Sequence, residues 1–265
     1  MTVPILIAVL GYFFGVIINA LADSLPRSGR VERPACLECT APKQPFAWSG
    51  LVAYLTGKQH CLYCGTPVSH RAPIVEAIAI LWPLVLYAID PSAIFFWPTF
   101  LLSMYFLLVI VIDYEHRLIL FVVTIPAAII LAVLGSLDPS RGPEKTLLGG
   151  LVGFLAVFGL YLLGGLFARL IWRLRNQPLE EVAFGFGDVM LAGVIGLMVG
   201  YPGIILALFL GVLAGGMFSL GYILVMVLRH RYEAFMPIPY SPFLILGGMA
   251  VYIAARTGFA QSLVS

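Results

Sequence analysis

Eight apolar runs, separated by polar intervals, dominate the pattern along this chain. A bilayer crossing needs about 20 predominantly apolar residues. On that measure the pattern predicts spans at 4–22, 73–89, 94–112, 118–137, 146–168, 188–199, 203–228 and 240–255. The sixth run is short, and its helix is expected to start a turn before Asp188. One polar interval is far longer than the rest. It occupies 23–72, between spans 1 and 2, and is Pro-rich and basic.

Composition agrees with this pattern. The 265 residues are 61% hydrophobic and only 11% charged, with a mean hydropathy of +1.02. Soluble domains carry about a quarter charged residues, so a polytopic, all-α membrane protein of about eight transmembrane helices is expected. The net charge of +2 matters less than its placement. Eight spans put both termini on one side. With the N-terminus outside, twelve of the fifteen Lys and Arg residues fall in inner segments, leaving Arg141, Lys145 and Arg256 outside. The positive-inside rule selects that orientation. The first run lacks a basic leader and a small-residue cleavage site, so it is expected to be a retained span. The expected division is a first helix at 1–22, a cytoplasmic cysteine module at 23–72 and a seven-helix membrane domain at 73–265.

Within this frame two carboxylates stand out. The stretch 183–193, AFGFGDVMLAG, sets Asp188 at the mouth of a span just after Gly185 and Gly187. An acid there is costly and marks a functional site by default, and glycines on its approach let another backbone come close. The alternative is an Asp that caps a helix N-terminus. Asp113 closes span 3 in IDYEHRLIL, and the charge-derived orientation puts both acids at cytoplasmic helix ends. Taken alone, Asp113 also fits a solvated boundary residue, and Glu115 and His116 fit loop surface. Glu76, in HRAPIVEAIAIL, lies about one turn inside the second span, where it could pair with Arg71 or His70 or support the acids. Gly11, Gly15, Asn19 and Asp23 recur every four residues and line one face of span 1, a pattern that favours close helix packing.

All four cysteines lie in the long polar interval. Cys36-x-x-Cys39 and Cys61-x-x-Cys64 are separated by 21 residues, close to the spacing of four-thiolate zinc sites. Two CxxC turns suit tetrahedral Zn(II), Gly65 suits a tight knuckle, and stable disulfides are rare in a cytoplasmic loop. Four protein ligands leave no open position, so the expected zinc is structural. The competing dithiol redox reading is disfavoured because neither CxxC opens a helix. No G-x-S-x-G, HExxH or P-loop pattern supports serine, zincin or nucleotide chemistry, and nucleic acid is not an expected partner.

Read in order, these segments resemble the type IV prepilin peptidases, GxGD-type membrane aspartic proteases. GYFFGVIINALADSLPRSGR is similar to the family's opening, and the two CxxC pairs and HRAPIVEAIA follow. IDYEHRLI and GFGDVMLAGVIG resemble the two aspartate motifs, and MPIPYSPFLILGG the entry to the last span. Two positions depart: Leu120-Phe121 follow Ile119 where the family usually has Pro, and Met190 stands where it usually has Lys. The resemblance implies a catalytic pair, Asp113 and Asp188, supported by Gly185, Gly187 and Glu76. It also implies a bacterial inner-membrane enzyme with its active site on the cytoplasmic side. Its partners would be lipid and the prepilins or pseudopilins of type IV pili and type II secretion, substrates with a short basic leader and an apolar N-terminal helix. N-methylation of the new terminus with S-adenosylmethionine is implied as well, although no residue pattern shows a methyl-donor site. A proton-coupled transporter using the same acids, or an inactive assembly protein on the same fold, are the other readings.

Overall fold

The computed structural model describes residues 2–175, 185–229 and 239–258. The first two residues of the 183–193 stretch lie outside these segments, as do His230, Arg231 and the MPI of MPIPYSPF. The described residues are all-helical: α1 (Thr2–Ser28), α2 (Gly50–Leu55), α3 (Arg71–Ile89), α4 (Ala93–His116), α5 (Phe121–Leu137), α6 (Gly142–Arg175), α7 (Phe186–Val199), α8 (Gly203–Leu228) and α9 (Ser241–Arg256). Every predicted span coincides with one of these helices. Five are long and apolar enough to cross a membrane, and α5, α7 and α9 are shorter apolar helices. The short α2, preceded by a 3-10 turn at Pro45–Trp48, was not expected; it lies inside the cysteine module.

The chain forms two compact units, Met1–Leu118 and Ile119–Ser265. In the first, the small-residue face of α1 packs on α3. A Cβ on Gly11 would overlap the carbonyl oxygen of Ala79, and one on Gly15 would come within 2.8 Å of the Glu76 Cα. Asn19 and Asp23 continue this face with polar contacts to α3, so the stripe is a packing seam from end to end. Outward-facing residues of α1, such as Ile5, Leu6, Phe13 and Ile17, are exposed apolar side chains suited to lipid.

In the second unit α7 is the central helix, in contact with α5, α6, α8 and α9. Val189, Leu191 to Gly196, Met198 and Val199 are all buried. A helix that is apolar all round belongs inside a bundle, which accounts for a span only 14 residues long. Glycines let its neighbours approach: Cβ atoms on Gly149 and Gly196 would each strike the other helix's backbone. At one end of this unit Asp138, after α5, pairs with Arg256 at 3.0 Å, and Arg141 donates to the Met198 carbonyl near the end of α7. Asp188 therefore sits at the opposite end of α7 from Arg141, a separation along the helix of about 15 Å.

Candidate active site and metal centre

The cysteine module is built from two matching turns. Cys36 donates its N–H to Ala41 at 2.8 Å and receives the Thr40 N–H at 3.1 Å; Cys61 donates to Thr66 at 2.9 Å and receives the Gly65 N–H at 2.9 Å. Thr40 and Gly65, each directly after its second cysteine, both have positive φ (58° and 74°). For Gly65 this conformation is free of strain, as the knuckle reading required. Isolated bridges, Ala35 to Pro42 and His60 to Pro67, close the two turns.

The turns face each other. Cys36 and Cys64 Sγ lie 3.6 Å apart, Cys39 and Cys61 Sγ 3.7 Å apart, and all four within 4.8 Å. Four sulfurs at zinc-bond length from one centre form a tetrahedron with an edge of about 3.8 Å, so the cluster has the size for one such ion. All four thiols are free. The Thr66 hydroxyl, 3.1 Å from the sulfur, and the Thr66 N–H hold Cys64 down to about 6. The N–H groups of Cys64 and Tyr63 also lower Cys61. At Cys39 the Ala41 N–H acts in the same direction but is outweighed by burial and the neighbouring sulfurs, which push it up to about 12. Packed thiolates repel one another, and a divalent cation would relieve that crowding.

Glu76 is fully buried and accepts from four groups: Asn19 Nδ2 at 3.2 Å, Ser49 Oγ at 2.7 Å, and the N–H groups of Gly50 at 2.7 Å and Leu51 at 3.0 Å. Of the alternatives the sequence left open for Glu76, pairing with Arg71 or His70 gives way to this set. Glu76 ties α1, α2 and α3 together because a buried carboxylate needs several donors. Arg71 instead bridges Asp23, at 2.6 Å, and Glu115. Asp23 also takes Lys43 of the module at 3.1 Å.

Asp113 is buried in the last turn of α4, at the module end of its unit. The helix continues to His116, so Glu115 is a paired helical residue where loop surface was expected. The chain leaves through Arg117 in the left-handed region (φ 52°), whose N–H closes on the Asp113 carbonyl at 2.8 Å. Asp188 is half-buried in the first turn of α7, and its Oδ2 accepts the Gly185 N–H at 3.0 Å. That contact is half of a capping box, so the capping alternative describes one of its contacts. A Cβ on Gly187 would stand 2.7 Å from the Cβ of Ile119, so this glycine does admit a close neighbour; one on Gly185 would make ordinary contact with Asp188 Oδ2 at 3.8 Å and the Gly187 nitrogen at 3.9 Å. Phe186 packs among Phe121, Phe154 and Tyr161, an aromatic wall beside the acid. Tyr240, at the head of α9, lies within electrostatic reach of Asp188. Reading the sequence missed it, although the MPIPYSPF segment was the signal.

These features define a polytopic helical membrane protein with a four-cysteine cluster that could hold a metal ion and acids at two helix ends. The sequence model of the type IV leader peptidase family matches residues 100–220, and that of the bacterial peptidase A24 N-terminal domain matches 8–89. A prepilin leader peptidase/N-methyltransferase of Aeromonas salmonicida is 27% identical over 225 residues, 82% of this chain and 70% of that protein. One from Aeromonas hydrophila is 27% identical over 233 residues (85% and 73%), and one from Xanthomonas campestris pv. campestris 28% over 235 (86% and 74%). No solved structure matches the chain. The two family matches fall on consecutive stretches that together span most of the sequence, and the chain belongs to the type IV leader peptidase family.

Proposed function

We propose that this chain is a multi-pass inner-membrane enzyme that removes the leader peptide of prepilin-like proteins and N-methylates the new terminus, with Asp113 and Asp188 as one catalytic pair. The observation that carries it is the peptidase family match at 100–220, which contains both acids. Further support comes from each unit separately. Asp113 lies at the end of α4 where Glu115 pairs with Arg71, a residue that also pairs with Asp23, the partner of Lys43; there the charge count expects cytoplasm. Asp188 lies at the end of α7 away from Arg141, one of the three bases assigned outside. Ile119, which packs on Gly187, follows Asp113 by only six residues of chain.

Two carboxylates close together share one proton, because both cannot ionise readily. The ionised one takes a proton from water, and the protonated one hydrogen-bonds the scissile carbonyl. The titration belongs to the pair, so neither role is assigned to one residue. Phe186 and its aromatic neighbours give the Asp188 side an apolar wall. Gly185 and Gly187 carry no side chains, which suits the approach of an extended substrate backbone beside Asp188. Cys36, Cys39, Cys61 and Cys64 would hold a zinc ion that fixes the fold of 23–72 and takes no part in hydrolysis. S-adenosylmethionine, when bound, supplies an electrophilic methyl group. The functional division is the first span at 1–22, the module at 23–72 and the membrane domain at 73–265, with eight crossings and the N-terminus outside. The basic leader of the substrate would be read at the cytoplasmic face.

The test is leader cleavage followed by mass in detergent. Asp113→Asn and Asp188→Asn should each remove nearly all turnover and the double variant should add little, since residues acting as one unit are strongly non-additive. Near wild-type cleavage by either single variant would overturn the pair.

A further inference from the structure

Two parallel helices of the second unit bring a phenol level with Asp188. The C-terminal ends of α7 and α9 meet in one ionic cluster, where Arg141 donates to the Met198 carbonyl of α7 and Asp138 pairs with both Arg141 and Arg256 of α9. Short of these ends the helices are pinned together: a Cβ on Gly248 of α9 would stand 2.6 Å from Ile195 Cγ2 of α7. Counting back from that pin, Asp188 is seven residues along α7 and Tyr240 eight residues along α9. At a rise of about 1.5 Å per residue these are about 10 Å and about 12 Å. Asp188 is also about two turns from Ile195, so it shares the face of α7 that meets α9. The Tyr240 ring has its seat on a third helix. A Cβ on Gly215 of α8 would come within 2.7 Å of Tyr240 Cε2 and 3.3 Å of Cζ, the carbon that bears the hydroxyl. The ring can lie there only because Gly215 has no side chain. One turn away, Gly211 admits the α9 backbone at Phe243 and Leu244 in the same way. The Phe243 ring stands beside that of Tyr240, 6.3 Å between centroids.

We infer that Tyr240 is a positioning residue of the aspartate site: its hydroxyl donates to the Asp188 carboxylate and fixes the orientation in which that group meets water and substrate. This rests on the aspartate pair of the proposed function. The Gly185 N–H holds Oδ2 of Asp188 from the start of the acid's own helix. The phenol adds a donor from a second helix, and the two side chains lie within electrostatic reach of each other. A phenol ordinarily keeps its proton up to about pH 10, so at neutral pH its hydroxyl can donate. Two donors on different elements restrain a carboxylate better than one, since neither the rotation of a single helix nor a change of rotamer satisfies both. The restraint matters because a misplacement of about 1 Å at a reacting group can cost about a hundredfold in rate. Gly215 sets the ring and Tyr240 sets the acid, so the influence of α8 on Asp188 passes through this ring.

The test is leader cleavage by the full-length protein in detergent, with kcat and KM measured separately. Tyr240→Phe keeps the ring and removes only the hydroxyl. It should lower kcat about tenfold or more, the size of one hydrogen bond to a charged group, and leave KM within about twofold and the melting temperature unchanged. Gly215→Ala, which pushes the ring off its seat, should lower kcat in the wild-type background. It should add little in the Tyr240→Phe background, because the two changes act on one contact. Gly216→Ala, whose methyl meets no atom of the described residues within 4 Å, is the control and should cleave as the wild type does. If Asp188→Asn is inactive while Tyr240→Phe keeps its full kcat, the inference falls and the aspartate pair stands. A raised KM at unchanged kcat makes Tyr240 a substrate contact, and equal losses from Gly215→Ala in both backgrounds make its role packing; either result overturns the inference. If Asp188→Asn cleaves normally, the pair falls and this inference with it.

Discussion

The hydroxyl of Ser49, in the cysteine module, donates to Oε2 of Glu76, in the membrane helix α3, at 2.7 Å. With the Gly50 and Leu51 amides on the same carboxylate, this contact anchors the module to the bundle. Removing the acceptor strands several buried donors, each worth about 1–3 kcal/mol. Glu76→Ala should therefore lower the melting temperature sharply and speed loss of metal to a chelator. Glu76→Gln should do the same to a smaller extent, because its NH2 faces donors. Scanning fluorimetry and chelator kinetics read both. A Glu76→Ala protein as stable as the wild type would show that the anchor is dispensable.

The four thiols predict one zinc per chain, measured by elemental analysis of protein purified under reducing conditions. Replacing Cys36 and Cys39 together by Ser should abolish it. Since only thiolates ligate, metal uptake releases protons, and affinity should rise with pH until all four sulfurs are ionised. Titration in two buffers of different ionisation enthalpy counts the protons. Purified protein with two disulfides and no metal would contradict the assignment.

Asp138 supplies a stability test with a definite sign. Burial raises its pKa, but the Ser140 hydroxyl and N–H, followed by Arg256 and Arg141, outweigh that and leave it below the ordinary carboxylate value. A depressed folded value means the stabilisation is complete above the unfolded value of about 4 and is lost as pH falls through the folded one. Asp138→Asn should therefore be less stable than wild type at pH 7. The difference should shrink on acidification below about pH 4, as read by melting temperatures in detergent.

Glycines at the seam of α6 and α7 should separate from glycines facing outward. Gly196→Ala sets a methyl against the backbone of Gly149 and should cost about 1–3 kcal/mol. Gly159→Ala meets no atom of the described residues within 4 Å, and the better helix propensity of Ala should leave it neutral or slightly stabilising. Melting temperatures that fall equally for both would mean that helix approach is not what these glycines provide.

The sequence by itself determined the membrane class, the position of every long helix and the thiolate cluster. Apolar runs of span length and a CxxC pair are local signals, and neither needs knowledge of a neighbour. The stripe of Gly11, Gly15, Asn19 and Asp23 was likewise legible as a seam, because helical geometry alone puts those positions on one face. Partner choice was decided by tertiary structure. Glu76 and Arg71 are five residues apart and of opposite charge, yet Glu76 turns to α1 and α2 while Arg71 turns to Asp23 and Glu115. Sequence spacing shows which groups could meet within a helix; it does not show which donors a second helix will bring. The same holds for α7, whose shortness looked anomalous until its burial on all sides was seen, and for Tyr240, whose reach toward Asp188 depends on how α9 packs.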